Sequence, residues 1–111
     1  MPSRERRRFK RYGLSETVRV SWVDAAGRYR FVNAKCLDVS QTGMRVELPH
    51  RLDENCYVNL RMDRYRFNSS AKVRHVSQKG LVYEAGLEFN GVWRWKDLEN
   101  IVSRQPEFAS A

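Results

Sequence analysis

No stretch of this 111-residue chain approaches the roughly 18 consecutive apolar residues that a membrane-crossing helix requires, and no membrane span is expected. Cysteine is nearly missing. Cys36 and Cys56 stand alone, without CxxC spacing, and are too few for a disulfide scaffold; a reducing cytoplasm is the expected compartment. The two histidines, His50 and His75, have no cysteine or acidic partners at ligand spacing, so no metal site is expected. The chain has no GxxxxGK phosphate loop, no nucleophile–base arrangement and no paired catalytic carboxylates. It is therefore read as no enzyme, and no cofactor is expected. The arginine-rich N-terminus has no apolar segment behind it, unlike a secretory signal. The glycosylation acceptor Asn68-Ser69-Ser70 is then without consequence.

What the chain has in excess is positive charge, +8 overall. Arg4-Glu5-Arg6-Arg7-Arg8-Phe9-Lys10-Arg11 sets six basic groups against one carboxylate and so holds +5 of that total in eight residues. The partner should be anionic: nucleotide, nucleic acid or membrane headgroups. Arginine dominates the run where lysine would serve solubility equally well. Its planar, forked guanidinium suits bidentate contact with phosphate or with the Hoogsteen edge of guanine.

Behind this arm the chain reads as strands. Val18, Val20 and Trp22 alternate with Arg19, Ser21 and Val23, and Asp24-Ala25-Ala26-Gly27 signals a turn. Tyr29 to Leu37 is rich in aromatic and β-branched residues. Asp38 to Gly43 is an interruption full of turn formers. Met44, Val46 and Leu48 then alternate until Pro49, and Val58, Leu60 and Met62 mark a further strand. Tyr65 to Val76 is expected to hold a long, edge-like strand with Ala71, Val73 and His75 on one face. After a turn at Gln78-Lys79-Gly80, Leu81, Tyr83, Ala85, Leu87 and Phe89 alternate. Only Val92 to Arg104 has helical spacing, through Trp95, Leu98, Ile101 and Val102, before Pro106. Six strands joined by short turns predict an all-β, six-stranded antiparallel β-barrel or sandwich, with a C-terminal helix over an opening or an edge. The expected organisation is a mobile basic arm (1–12), a barrel (13–91), and a helix with a tail (92–111). Cys36, Met44 and Met62 are expected in the core. Trp93 and Trp95 are read as packing residues.

The interruption Asp38-Val39-Ser40-Gln41-Thr42-Gly43 pairs a carboxylate with a hydroxyl two residues on. In extended chain those side chains point the same way. A carboxylate accepts two donors at once, as the N1–H and N2–H₂ edge of guanine offers. Gly43 lets the chain turn back and leaves room where a Cβ would intrude. The arm reads phosphate and the Hoogsteen edge; this loop reads the Watson–Crick edge. Alone, Asp-x-Ser-x-x-Gly is an ordinary turn and a basic run an ordinary solvated tail.

An arginine-rich RxxxR arm followed by Asp-x-Ser-x-x-Gly resembles the PilZ domain family, over about Arg6 to Phe89. That resemblance implies a six-stranded barrel with a basic arm and a C-terminal helix. It also implies a bacterial receptor for cyclic di-GMP that signals to a downstream protein partner, with no specific DNA or RNA target. The ligand-binding residues it implies are Arg6, Arg7, Arg11, Asp38, Ser40 and Gly43. Arg4 and Arg8 share the spacing of Arg7 and Arg11, but the second pair stands at the family's distance from the first strand. Lys72 or Arg74 is a further candidate that the sequence does not place. Two other readings stay open: a nonspecific nucleic-acid-binding barrel, and a PilZ-like interaction module that no longer binds ligand.

Ordering about eight arm residues over a ligand costs about 8–16 kcal/mol of backbone freedom. Charge-assisted hydrogen bonds return about 1.5–3 kcal/mol each, so several arginines must engage together. If the arm is read in one register, Arg7→Ala and Arg11→Ala should each weaken cyclic di-GMP binding far more than Arg4→Ala in titration calorimetry. Equal losses at the three positions would show that only total charge matters.

Overall fold

A computed structural model describes residues 10–90 and 95–104. The described residues form six strands: β1 (Tyr12–Val23), β2 (Tyr29–Val39), β3 (Gly43–Leu48), β4 (Tyr57–Met62), β5 (Phe67–Lys79) and β6 (Val82–Asn90). A 3₁₀ turn, Asp63–Tyr65, joins β4 to β5, and one helix, α1 (Trp95–Val102), follows. The strands close into an antiparallel barrel in the order β1-β2-β3-β6-β5-β4. No described helix is long and apolar enough to cross a membrane.

Alternation is the cause of closure. In β4, Val58, Leu60 and Met62 point inward while Tyr57, Asn59 and Arg61 face water. Val18 and Val20 of β1, Val46 and Leu48 of β3, Val73 of β5 and Leu87 of β6 fill the same interior. Each strand thereby buries one face, and the closed order gives every strand a neighbour on both sides, with β1 meeting β4 over Arg19–Ser21 and β2 meeting β3 over Lys35–Val39. At the β5–β6 hairpin Lys79 pairs with Val82. Gly80 takes the positive φ of 65° that the first position of a tight type II′ turn demands.

The structure departs from the sequence reading in several places. β5 is not edge-like, since β4 and β6 flank it on both sides. Ala71 and Val73 point inward, but a bulge between Val73 and His75 turns His75 outward and buries Val76 instead. The β5–β6 turn is Gly80-Leu81, which leaves Leu81 almost wholly exposed rather than in the strand. β1 starts at Tyr12, well before the clear alternation at Val18, because a bulge between Gly13 and Glu16 interrupts the pairing. Asp38 and Val39 belong to β2 and Gly43 to β3, which narrows the interruption to Ser40-Gln41-Thr42. The described helix is shorter than Val92 to Arg104; residues 91–94, Trp93 among them, lie outside the described part.

α1 packs beside the start of β1. Leu98 and Val102 enter the core, the Tyr12 and Trp95 rings lie 6.2 Å apart, and the Tyr12 hydroxyl donates to Glu99 Oε2 at 3.1 Å. Cys36 is fully buried in β2 and Cys56 is exposed. Burial, helped by the nearby Asp38 charge, pushes the Cys36 thiol up to about 12. The thiolate is the reacting form, so native protein at about pH 8 should expose one reactive thiol to Ellman's reagent, lost in Cys56→Ser. The second should react only on unfolding. Two thiols reacting at one rate would show that the barrel opens around β2.

Candidate ligand site at the barrel rim

Two irregularities build the site. The first is a bulge in β2 between Cys36 and Asp38, which sets Asp38 opposite Arg45 of β3. On its other side Asp38 pairs with Gly13 of β1. The second is the turn after Val39, closed where the Ser40 N–H donates to Gly43 O at 2.8 Å. That turn ends the strand's alternation, so Val39 and Ser40 are both fully buried in succession.

Asp38 is held from both sides. Its Oδ1 accepts from Arg11 Nε at 2.9 Å and Nη2 at 2.5 Å. Its Oδ2 accepts from Arg45 Nε at 2.9 Å, with Arg45 Nη2 at 2.8 Å. Arg45 reaches further, donating from Nη1 to Glu84 Oε1 of β6 at 2.9 Å. The bonds to Asp38 and then to Glu84 raise the Arg45 pKa above its usual value. A carboxylate offers about four lone-pair sites, and here two guanidinium groups occupy them. Only about 15% of the Asp38 side chain is exposed, against half of each arginine.

Arg11 and Asp38, members of the two motifs, are thus in direct contact. Arg6 and Arg7 lie outside the described residues. Ser40 is fully buried: its Oγ lies 3.3 Å from Thr42 Oγ1 and accepts the Thr42 N–H at 3.3 Å. Gly43 sits where β3 meets β6, paired with Glu88. A Cβ there would collide with the backbone carbonyl of Leu87, whose C atom alone is 3.3 Å away. The barrel itself therefore demands glycine at this position, independently of any ligand.

Lys72 and Arg74 lie on β5, across β6 from Gly43. Arg74 pairs with Glu88 at 3.6 Å, and the Lys72 ammonium stands 6.0 Å from the Tyr57 ring. Neither bonds to Asp38. Arg45 and Glu84 went unnoticed in the sequence. They read as polar alternates of their strands, and only the bulged register reveals that Arg45 faces Asp38.

The model of the PilZ domain matches residues 5–98. The chain belongs to the PilZ domain family. The fold is also that of solved PilZ-containing structures. One is the PilZ domain of YcgR from Escherichia coli with c-di-GMP, at 15% identity and TM-score 0.69, covering 95% of this chain and 97% of that one. Another is YcgR in complex with c-di-GMP, at 19% identity and TM-score 0.60, covering 89% of this chain and 43% of that one. The K. pneumonia MrkH–c-di-GMP complex matches at 14% identity and TM-score 0.63, covering 86% and 52%. This chain therefore spans about half the length of YcgR or MrkH. No curated protein matches the sequence.

The Gly43 geometry yields a test. Gly43→Ala should destabilise this PilZ barrel by about 1–3 kcal/mol in urea unfolding, the usual cost of forcing atoms into a packed site. An unchanged midpoint would show that β3 and β6 can part locally without cost.

Proposed function

We propose that this PilZ domain is a cyclic di-GMP receptor, not an enzyme, and that it grips the dinucleotide at the rim where Arg11 meets Asp38. The observation that supports this most is their contact, which brings together one residue from each motif across 27 positions of chain. Family membership and the c-di-GMP held by the similar YcgR and MrkH structures favour the same ligand.

Binding proceeds by exchange. Asp38 has no free lone pairs for a guanine edge while both arginines hold it. One must leave, and Arg11 is the partner able to do so. Its own side chain is half exposed, and ion pairs open to water contribute about 0–1 kcal/mol. Arg45 stays because Glu84 anchors its far side. Arg11 then exchanges a carboxylate for a phosphate or a guanine Hoogsteen edge, and Asp38 exchanges Arg11 for the N1–H and N2–H₂ donors. Arg6 and Arg7 of the arm add the further cations that a dinucleotide requires. Ser40 contributes by holding the turn through Thr42, and Gly43 by letting β3 close on β6. The arm's closure over the ligand alters the surface offered to a downstream protein partner.

Asp38→Ala deletes the base-edge acceptor. A bidentate edge contact is worth about 1–3 kcal/mol, so cyclic di-GMP affinity should fall about 5- to 150-fold in titration calorimetry. Affinity of the wild type should also decline only modestly between about 50 and 200 mM salt, where nonspecific phosphate binding falls steeply. Unchanged or tighter binding by Asp38→Ala, with a steep salt slope, would instead identify a general polyanion binder.

A further inference from the structure

Tyr57, Val23 and Tyr29 lie in one row across the outer wall of β4, β1 and β2. Val23 pairs with Tyr29, and Tyr57 stands on the outward face two residues before Asn59, the partner of Ser21. Phe31 fills the next row, paired with Ser21. These four are exposed by 67% (Val23), 64% (Tyr29), 48% (Phe31) and 59% (Tyr57). They form a contiguous apolar patch, and Ser21 beneath it is covered although it faces outward. Such a patch on a small barrel marks an interaction surface rather than scattered exposure.

The patch lies far from the Asp38 rim. Gly13 pairs with Asp38 at one end of β1 and Val23 with Tyr29 at the other. Ten residues of strand at about 3.3 Å each put about 30 Å between them.

Its surroundings are basic. The Arg19 guanidinium stands 4.4 Å over the Phe31 ring, Lys72 flanks Tyr57, Arg28 and Arg30 share the single carboxylate of Asp24, and Arg61 pairs with Asp63. Five cations thus stand about the patch, Arg30 among them on the opposite face of β2 beside Trp22, against the carboxylates of Asp24, Asp63 and Glu88, the last the cross-strand partner of Lys72. A second copy of the chain would bring like charges together, which opposes association. A stacked nucleic-acid strand needs open ring faces, whereas Arg19 already covers Phe31 and the Tyr29 and Phe31 rings are tilted by 40°. A membrane would need bulky apolar groups at the hairpin apex, where this chain has Asp24-Ala25-Ala26-Gly27. Aromatic residues and arginine are the types that dominate protein interfaces.

We infer that this wall of β4, β1 and β2 docks a protein surface bearing acidic and apolar side chains, at the opposite end of the barrel from the nucleotide. The inference rests on the receptor reading for its purpose, since it gives the receptor a standing docking surface apart from the one its arm alters, but not for its test.

Short random peptides displayed on phage are panned on the full chain, and an enriched peptide is synthesised. The expected peptides combine Asp or Glu with Leu, Phe or Trp. Their affinity should fall about tenfold or more in Tyr29→Lys/Phe31→Lys and in Tyr57→Lys, and stay unchanged in Asp38→Ala. Titration calorimetry with cyclic di-GMP on the same variants should show the reverse pattern, so a failure of the receptor reading appears there alone. Basic or absent consensus peptides, or equal binding by the patch variants, would overturn the inference. So would binding of oligo-dT, or of phosphatidylglycerol vesicles, that the double variant loses. Self-association abolished by the double variant in analytical ultracentrifugation would also overturn it, assigning the patch to a second copy.

Discussion

A carboxylate gripped by two guanidinium groups can accept nothing more until one of them withdraws. This condition, set by Asp38 between Arg11 and Arg45, governs the rest of the rim. It depends on a bulge in β2, since an unbroken register would carry the Asp38 side chain to the other face of the strand. The two arginines are unequal. Arg45 is braced by Glu84 on the next strand. Arg11 precedes Tyr12, which is tied to β2 by pairing and to α1 by the hydroxyl bond to Glu99. The backbone beside Arg11 is thus anchored.

The barrel was legible wherever alternation ran unbroken. Met44, Val46 and Leu48, Val58, Leu60 and Met62, and Tyr83, Ala85 and Leu87 each line up with the inward face. Legibility failed at bulges, because one extra residue inverts the inside–outside pattern without leaving any mark in composition. His75 was misplaced for that reason, and the start of β1 was missed behind Ser15, Glu16 and Thr17. At the rim, the meeting of Arg11 with Asp38 is a distance that motif order brought within view. The burial of Ser40 and the bond from Arg45 to Glu84 depend on local register, which no spacing rule encodes.

The architecture separates two chemistries on one small frame. The Asp38 end is polar, with charges satisfied in a chain that runs from Arg11, just before β1, through β2 and β3 to β6. The Val23 end carries uncovered aromatic surface on β4, β1 and β2. β1 belongs to both, with Gly13 at one end and Val23 at the other. Closure stiffens the wall between them, because every strand is hydrogen-bonded on both sides.

The collision awaiting any side chain at Gly43 reaches past this molecule. A barrel of this shape is strained by any larger residue there, whether or not a nucleotide ever visits it. In surveys of genomes the glycine is therefore a signature of architecture, and on the proposed reading it is Asp38 and the arginines that carry information about ligand binding.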